Sequence, residues 1–233
     1  MSLIAGVDGC RNAWICITLD TRTGALRSER FTSTADLLLQ RPRPAVMGID
    51  IPIGLTDSGP RRCDELARRM LGRRASCVFP APVRAALAGA DRAAADALHR
   101  AADGRGVGAQ AFNIYRKIAE IDAVLTACRP LQSQLIEVHP EVSFLVWNGH
   151  MPLESKKSKI GKEQRRRLIR AEFGSEAFKV ERIKYLTAEV ADDDIADAFA
   201  ALWSAKRRFA GESKSLPDPP LLDRMGLSMA IHV

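Results

Sequence analysis

Two apolar runs that each end on an aspartate constrain this chain more than any other feature. The first is Leu3-Ile4-Ala5-Gly6-Val7-Asp8, followed by Gly9. The second is Ala45-Val46-Met47-Gly48-Ile49-Asp50, followed by Ile51 and Pro52. A segment that is apolar at every position is buried on both faces, as a strand is inside a sheet covered by helices. An aspartate closing such a strand puts a carboxylate at the sheet rim, where a buried charge is expensive unless it is paired or holds a metal. If the two strands are parallel neighbours, Asp8 and Asp50 sit side by side, and a divalent cation would remove their repulsion.

Residues 13–20 and 25–32 read as a second and a third strand joined by the turn Thr21-Arg22-Thr23-Gly24, so the chain opens as an antiparallel meander. Residues 34–40 predict a short helix, with Thr32, Ser33 or Thr34 as its cap. Arg41-Pro42-Arg43-Pro44 breaks it, and the second apolar run then returns as a buried parallel strand. From about 57 to 130 the sequence is rich in Ala and Arg and predicts helices near 60–72, 91–103 and 110–127, a helical insertion into the sheet. The glycine-rich Asp103–Gly108 connection lacks the G-K-[ST] of a phosphate-binding Walker loop. Residues 134–139 read as a strand ended by Pro140, with a helix from Glu141 to Trp147. A long helix is expected at 193–209, a surface loop at Pro217, Pro219 and Pro220, and an edge strand at 227–232. The expected architecture is α/β: a mixed sheet of three antiparallel strands followed by parallel ones, flanked by helices, in one domain over residues 1–233.

With 233 residues, 46% of them hydrophobic, the chain can build one sizeable core, and 27% charged residues do not suggest disorder. The formal charge of +7 favours a polyanionic partner. Five cysteines without a C-x-x-C pair argue against a zinc site or a disulfide framework and for a reducing compartment. No run reaches the roughly 18 apolar residues of a membrane span. No basic and apolar leader precedes the first strand. A cytoplasmic protein is expected, with no membrane partner and with a homodimer left open.

The late helix supplies the third acidic element. At 100° per residue, Ile195, Phe199, Leu202 and Trp203 form one apolar stripe. Asp194 and Asp197, three apart, neighbour each other on an adjacent face that Ala198, Ala201 and Ala205 continue. Small side chains there allow close packing on a sheet, which would carry both aspartates toward the strand ends. Asp193 points further round. Aspartates at a helix N-terminus also serve as caps and oppose the dipole. Three acidic elements together nonetheless point to metal.

The motifs GVDGC (6–10), IDIPIGL (49–55), RRCD (61–64), VFPAPVRAAL (78–87), QAFNIYRKIAEID (110–122), EVHPEVSF (137–144) and DDDIADAFAALWSA (192–205) resemble those of the family known as domain of unknown function 429. That family is described as predicted ribonuclease H-like nucleases. The G-V-D-G and D-x-x-D-A-x-A segments are also similar to motifs of Holliday-junction resolvases in the ribonuclease H-like superfamily. The resemblance implies a ribonuclease H-like fold and a hydrolase that cleaves nucleic-acid phosphodiester bonds with two Mg²⁺ or Mn²⁺ ions. Asp8 and Asp50 would be strand ligands, Asp194 and Asp197 helix ligands, and Glu137 a further catalytic candidate.

Arg84, Arg116 and Lys117 lie in those motifs as candidate phosphate contacts. The basic run with Lys156, Lys157, Lys159 and Arg166 is a candidate track for a DNA or RNA backbone. His139, between Val138 and Pro140, reads as a proton shuttle or as a strand-end histidine held by backbone groups. Two other functions fit the same topology. One is a nucleotide hydrolase or phosphotransferase of the actin-like branch, which the hydroxyl-free Gly9-Cys10-Arg11-Asn12-Ala13 turn disfavours. The other is a catalytically silent nucleic-acid-binding module.

Overall fold

The computed structural model describes residues 2–233, the side chain of Gln110 apart. Three strands come first, β1 (Leu3–Cys10), β2 (Ala13–Asp20) and β3 (Leu26–Phe31), then α1 (Thr34–Leu39) and β4 (Val46–Ile49). Next are α2 (Arg62–Leu71), two 3-10 segments at Gly72–Cys77 and Arg84–Ala88, α3 (Arg92–Asp103), α4 (Ala109–Phe112), α5 (Tyr115–Ala127) and α6 (Arg129–Gln132). The chain continues with β5 (Leu135–Glu137), α7 (Pro140–Trp147), α8 (Lys159–Phe173), α9 (Ala177–Arg182) and α10 (Asp192–Ala210), and closes with β6 (Ser215–Leu222) and β7 (Ser228–His232). Antiparallel and parallel strands are mixed and helices flank them, as the α/β reading expects. No helix among the described residues is long and apolar enough to cross a membrane.

Two compact units divide the chain just after Asp50. The first holds the strands up to β4, together with Ser133–Lys214 and His232–Val233. The second holds Ile51–Gln132 and Ser215–Ile231. The helical insertion is thus a unit of its own, and the proline-rich segment near the C-terminus belongs to it.

In the first unit the strand order is β3-β2-β1-β4-β5. β1 pairs antiparallel with β2, and β2 with β3, while β4 runs parallel to both β1 and β5. The register sets Gly6 opposite Gly48 and Val7 opposite Ile49. One residue further on, the Asp50 N–H still donates to the Val7 carbonyl at 3.0 Å, so Asp8 and Asp50 leave the sheet together.

Side chains alternate along a strand, so Ile4, Gly6 and Asp8 share one face with Val46, Gly48 and Asp50. α10 covers that face. A Cβ at Gly6 would stand 2.1 Å from the Leu202 nitrogen and 2.2 Å from the Ala198 carbonyl oxygen, and one at Gly48 would stand 2.5 Å from the Ala201 oxygen. Both strands need glycine there because the helix backbone itself touches them. The alanines at 198 and 201 are the matching requirement on the helix. Ile4, Ile136, Val138, Phe144, Ile195, Phe199 and Leu202 fill the core around this contact. Trp147 stacks on Phe144 and on Trp203 at ring distances of 5.7 and 5.2 Å, which fixes α7 against α10.

Three expectations are corrected in the second unit. The 110–127 helix is interrupted at Asn113 and Ile114, where the turn tightens and the Ile114 N–H reaches the Ala111 carbonyl three residues back at 3.3 Å. The proline-rich 215–222 segment is a strand rather than a loop. It, and not the 227–232 strand expected at the edge, stands at the end of the strand order, so only one edge needs amide donors and prolines are tolerated.

Candidate metal centre

The first unit gathers Asp8, Asp50 and Asp197 into one electrostatic cluster. Asp8 and Asp197 are 8% and 5% exposed, and Asp50 is partly buried. Burial first, then the charges of Asp50, Asp197 and Asp194, push the Asp8 carboxyl well above the usual carboxylate range, against the pull of Lys156. Asp50 is pushed up to about 8, again by burial and then by Asp197, with Glu137 and Glu141 adding to it and Lys156 opposing. Burial raises Asp197 as well, despite its hydrogen bond from Lys156.

The Lys156 Nζ donates to Asp197 Oδ2 at 2.7 Å. Burial alone would lower this ammonium's pKa, but the charges of Asp197, Asp8 and Asp50 outweigh it and hold the group protonated. The other Asp197 oxygen, Oδ1, is buried with no hydrogen-bond partner among the described residues. Asp8 Oδ1 accepts from the Gly9 N–H at 2.7 Å. Three neighbouring carboxylates that destabilise one another, with one orphaned buried oxygen, suit a hard, oxygen-seeking cation such as Mg²⁺ or Mn²⁺. The set therefore fits the ion expected from the sequence.

The remaining acidic candidates take other places. Asp194 reaches back from the first turn of α10, and its Oδ2 accepts from the Ala191 N–H at 2.8 Å, a capping bond. It is close enough for its charge to raise Asp8. Asp192 pairs with Arg166 at 2.7 Å and with Arg182 at 3.2 Å. Glu137 is paired in register with Ile49, so strand alternation puts it on the sheet face opposite Asp8 and Asp50. Its charge still reaches Asp50.

The candidate phosphate contacts separate in the same way. Arg84 belongs to the second unit and is an internal ion pair: it donates to both Asp122 oxygens, at 2.7 and 2.8 Å, and to Asp223, with its side chain 9% exposed. Arg116, exposed, pairs with Glu120 at 3.0 Å, and Lys117 beside it is half-buried. In the first unit Lys156 lies in the acidic cluster, Arg166 is engaged by Asp192 and by the Phe178 ring at 4.9 Å, and Lys157 and Lys159 are exposed.

One pairing beside the centre is not legible in the sequence. Arg165, 2% exposed, clamps both oxygens of Glu141 at 2.8 Å. Glu141 lies in the EVHPE motif and Arg165 in the basic run, but only the fold pairs them. Glu141 raises Asp197, and Arg165 lowers it. His139 presents its carbonyl to the Val142 and Ser143 N–H groups at 2.9 and 3.0 Å, at the start of α7.

A mixed-sheet α/β protein whose parallel strand ends and covering helix bring carboxylates together is the class these features define. The chain belongs to the family described as Protein of unknown function (DUF429), whose model matches residues 6–221. No curated protein and no solved structure matches it.

Proposed function

We propose that the protein is a metal-dependent nuclease of ribonuclease H-like type that hydrolyses nucleic-acid phosphodiester bonds, with Asp8, Asp50 and Asp197 as the ligands of its cation. The observation that carries this reading is the buried cluster itself: burial raises all three carboxyls, Asp50 and Asp197 raise Asp8 further and Asp197 raises Asp50, and one Asp197 oxygen has no hydrogen-bond partner among the described residues. Left without a cation, such a cluster is a standing electrostatic penalty, which a structural role would not require. A bound divalent ion would supply Lewis acidity toward a phosphoryl oxygen.

The chain's own groups set the geometry. Asp8 and Asp50 are fixed by the β1–β4 register, and Asp197 by the α10 contact with Gly6 and Gly48. The Gly9 N–H orients one Asp8 oxygen. Lys156 holds Asp197 Oδ2 and keeps its proton in this acidic setting. Exposed Lys157, Lys159 and Arg167, just before and within α8, have no ion pair among the described residues and are left for a phosphate backbone.

Incubation with single- and double-stranded DNA and RNA in Mn²⁺ or Mg²⁺ tests the function. Cleavage by the wild type that EDTA abolishes and Asp8→Asn lacks is the expected result. Equal cleavage by wild type and Asp8→Asn, or none on any substrate with either ion, would remove it.

A further inference from the structure

Lys156 is not carried on a loose surface loop. The Arg165 Nη1 donates to the Glu154 carbonyl at 3.0 Å and to the Gly161 carbonyl at 2.8 Å, while its other end is locked on Glu141. The Gln164 side chain accepts from the Glu154 N–H at 2.8 Å. Ser158 caps α8 by accepting from the Gly161 N–H at 2.9 Å, and its hydroxyl donates to the Ser155 carbonyl at 2.9 Å. Gly161 closes the fit, because a Cβ there would stand 2.1 Å from the Ser155 carbonyl oxygen. The backbone on both sides of Lys156 is thus tied to α8, and its side chain, 38% exposed, ends on Asp197.

We propose that the Lys156 ammonium is a resident cation of the acidic centre, standing where a second divalent ion would otherwise bind, so that the centre takes one divalent ion rather than two. The inference rests on the metal-centre reading of Asp8, Asp50 and Asp197. Charge decides it. Lys156 neutralises one of the three carboxylates, and a single divalent ion neutralises the other two. Of the neighbouring charges, Glu141 is engaged by Arg165 and Asp192 by Arg166 and Arg182, while Asp194 accepts a backbone amide and keeps its charge near Asp8, and Glu137 lies on the opposite sheet face. A second divalent ion would sit within roughly 4 Å of the first, as in two-metal sites. It would then share Asp197 with a fixed ammonium and leave the group formed by the three carboxylates and Lys156 with excess positive charge. Asp197 divides its oxygens, Oδ2 to Lys156 and Oδ1 without a hydrogen-bond partner among the described residues.

Calorimetric titration with Mn²⁺, checked by equilibrium dialysis, tests this on the wild type, Lys156→Arg, Lys156→Met and Asp197→Asn. Thermal unfolding establishes that each variant is folded, and Lys156→Gln replaces Lys156→Met if the latter is not. The expected result is one Mn²⁺ per chain in the wild type and in Lys156→Arg. Lys156→Met should bind two, and Asp197→Asn should bind its ion at least tenfold more weakly. Two ions in the wild type, unchanged in Lys156→Met, would overturn the proposal and leave the metal centre standing. So would a single ion in Lys156→Met, whether bound as in the wild type or tenfold tighter, since the lysine would then be a bystander or a competitor for the same position. No Mn²⁺ on any of the proteins would overturn the proposal and the metal centre together.

Discussion

Asp8 and Asp50 stand side by side on adjacent parallel strands, each one residue beyond the Val7–Ile49 pair and on the face that α10 covers. Their separation along the chain is long, but the register leaves them no other arrangement. The centre is therefore as well ordered as the sheet, and its ion-free state carries a strain that can be measured.

Asp8→Asn should stabilise the ion-free protein. The carboxyl is raised by burial and by Asp50, Asp197 and Asp194, so its charged form is unfavourable in the fold. Asparagine keeps an oxygen for the Gly9 N–H. A tenfold change in a carboxyl's proton affinity is worth about 1.4 kcal/mol, so a gain on the order of 1 kcal/mol in EDTA is expected in urea unfolding. A loss of stability in EDTA would contradict it.

The pH dependence of stability follows in sign. Asp50, pushed up to about 8 by burial and then Asp197, binds its proton more tightly folded than unfolded, where a carboxylate titrates near ~3.9. Between those values the folded state holds more protons, so stability must fall as pH rises. In EDTA the melting temperature should be higher at pH 6 than at pH 9, and Asp50→Asn should flatten that slope. An unchanged slope would show that Asp50 is not the group responsible.

Arg84→Met should unfold the second unit rather than weaken substrate binding. Arg84 is held between Asp122 and Asp223. Removing one partner of a buried ion pair costs about 3–5 kcal/mol. Burial alone would raise Asp223, but the Leu55 and Leu227 N–H groups and Arg84 lower it below its ordinary value. Its contribution is present above the unfolded pKa and is lost as pH falls through the lower folded one. Urea unfolding at pH 7 and pH 3 should show a large difference between wild type and variant at the first and a smaller one at the second.

Gly6→Ala should damage the centre from below. The added Cβ would meet the Leu202 and Ala198 backbone, which cannot yield without moving α10 and Asp197. Such overpacking costs about 1–3 kcal/mol or more. Weaker Mn²⁺ binding should accompany the lost stability, whereas full stability and unchanged Mn²⁺ affinity would contradict the contact.

The sheet and the strand-end aspartates were legible because strict apolar runs and glycines at 6 and 48 leave little freedom. The small face at Ala198 and Ala201 likewise pointed to close packing of α10. What sequence could not assign was the partner of each charge. Lys156 and Arg84 look like phosphate contacts in a basic chain, yet one lies against Asp197 and the other between Asp122 and Asp223, because pairing depends on distant segments. Glu137 looks equivalent to the other carboxylates until register decides which sheet face it takes. The 215–222 strand was hidden because its prolines signal a loop unless the segment is known to be an edge.

Diffraction from crystals grown with Mn²⁺, recorded for the metal's anomalous signal, tests the metal centre most directly. The expected result is a peak within about 2.3 Å of oxygens from Asp8, Asp50 and Asp197, in the range of hard-cation ligation, with Lys156 still against Asp197. A Mn²⁺-containing crystal whose anomalous peaks all lie away from these three carboxylates would contradict it.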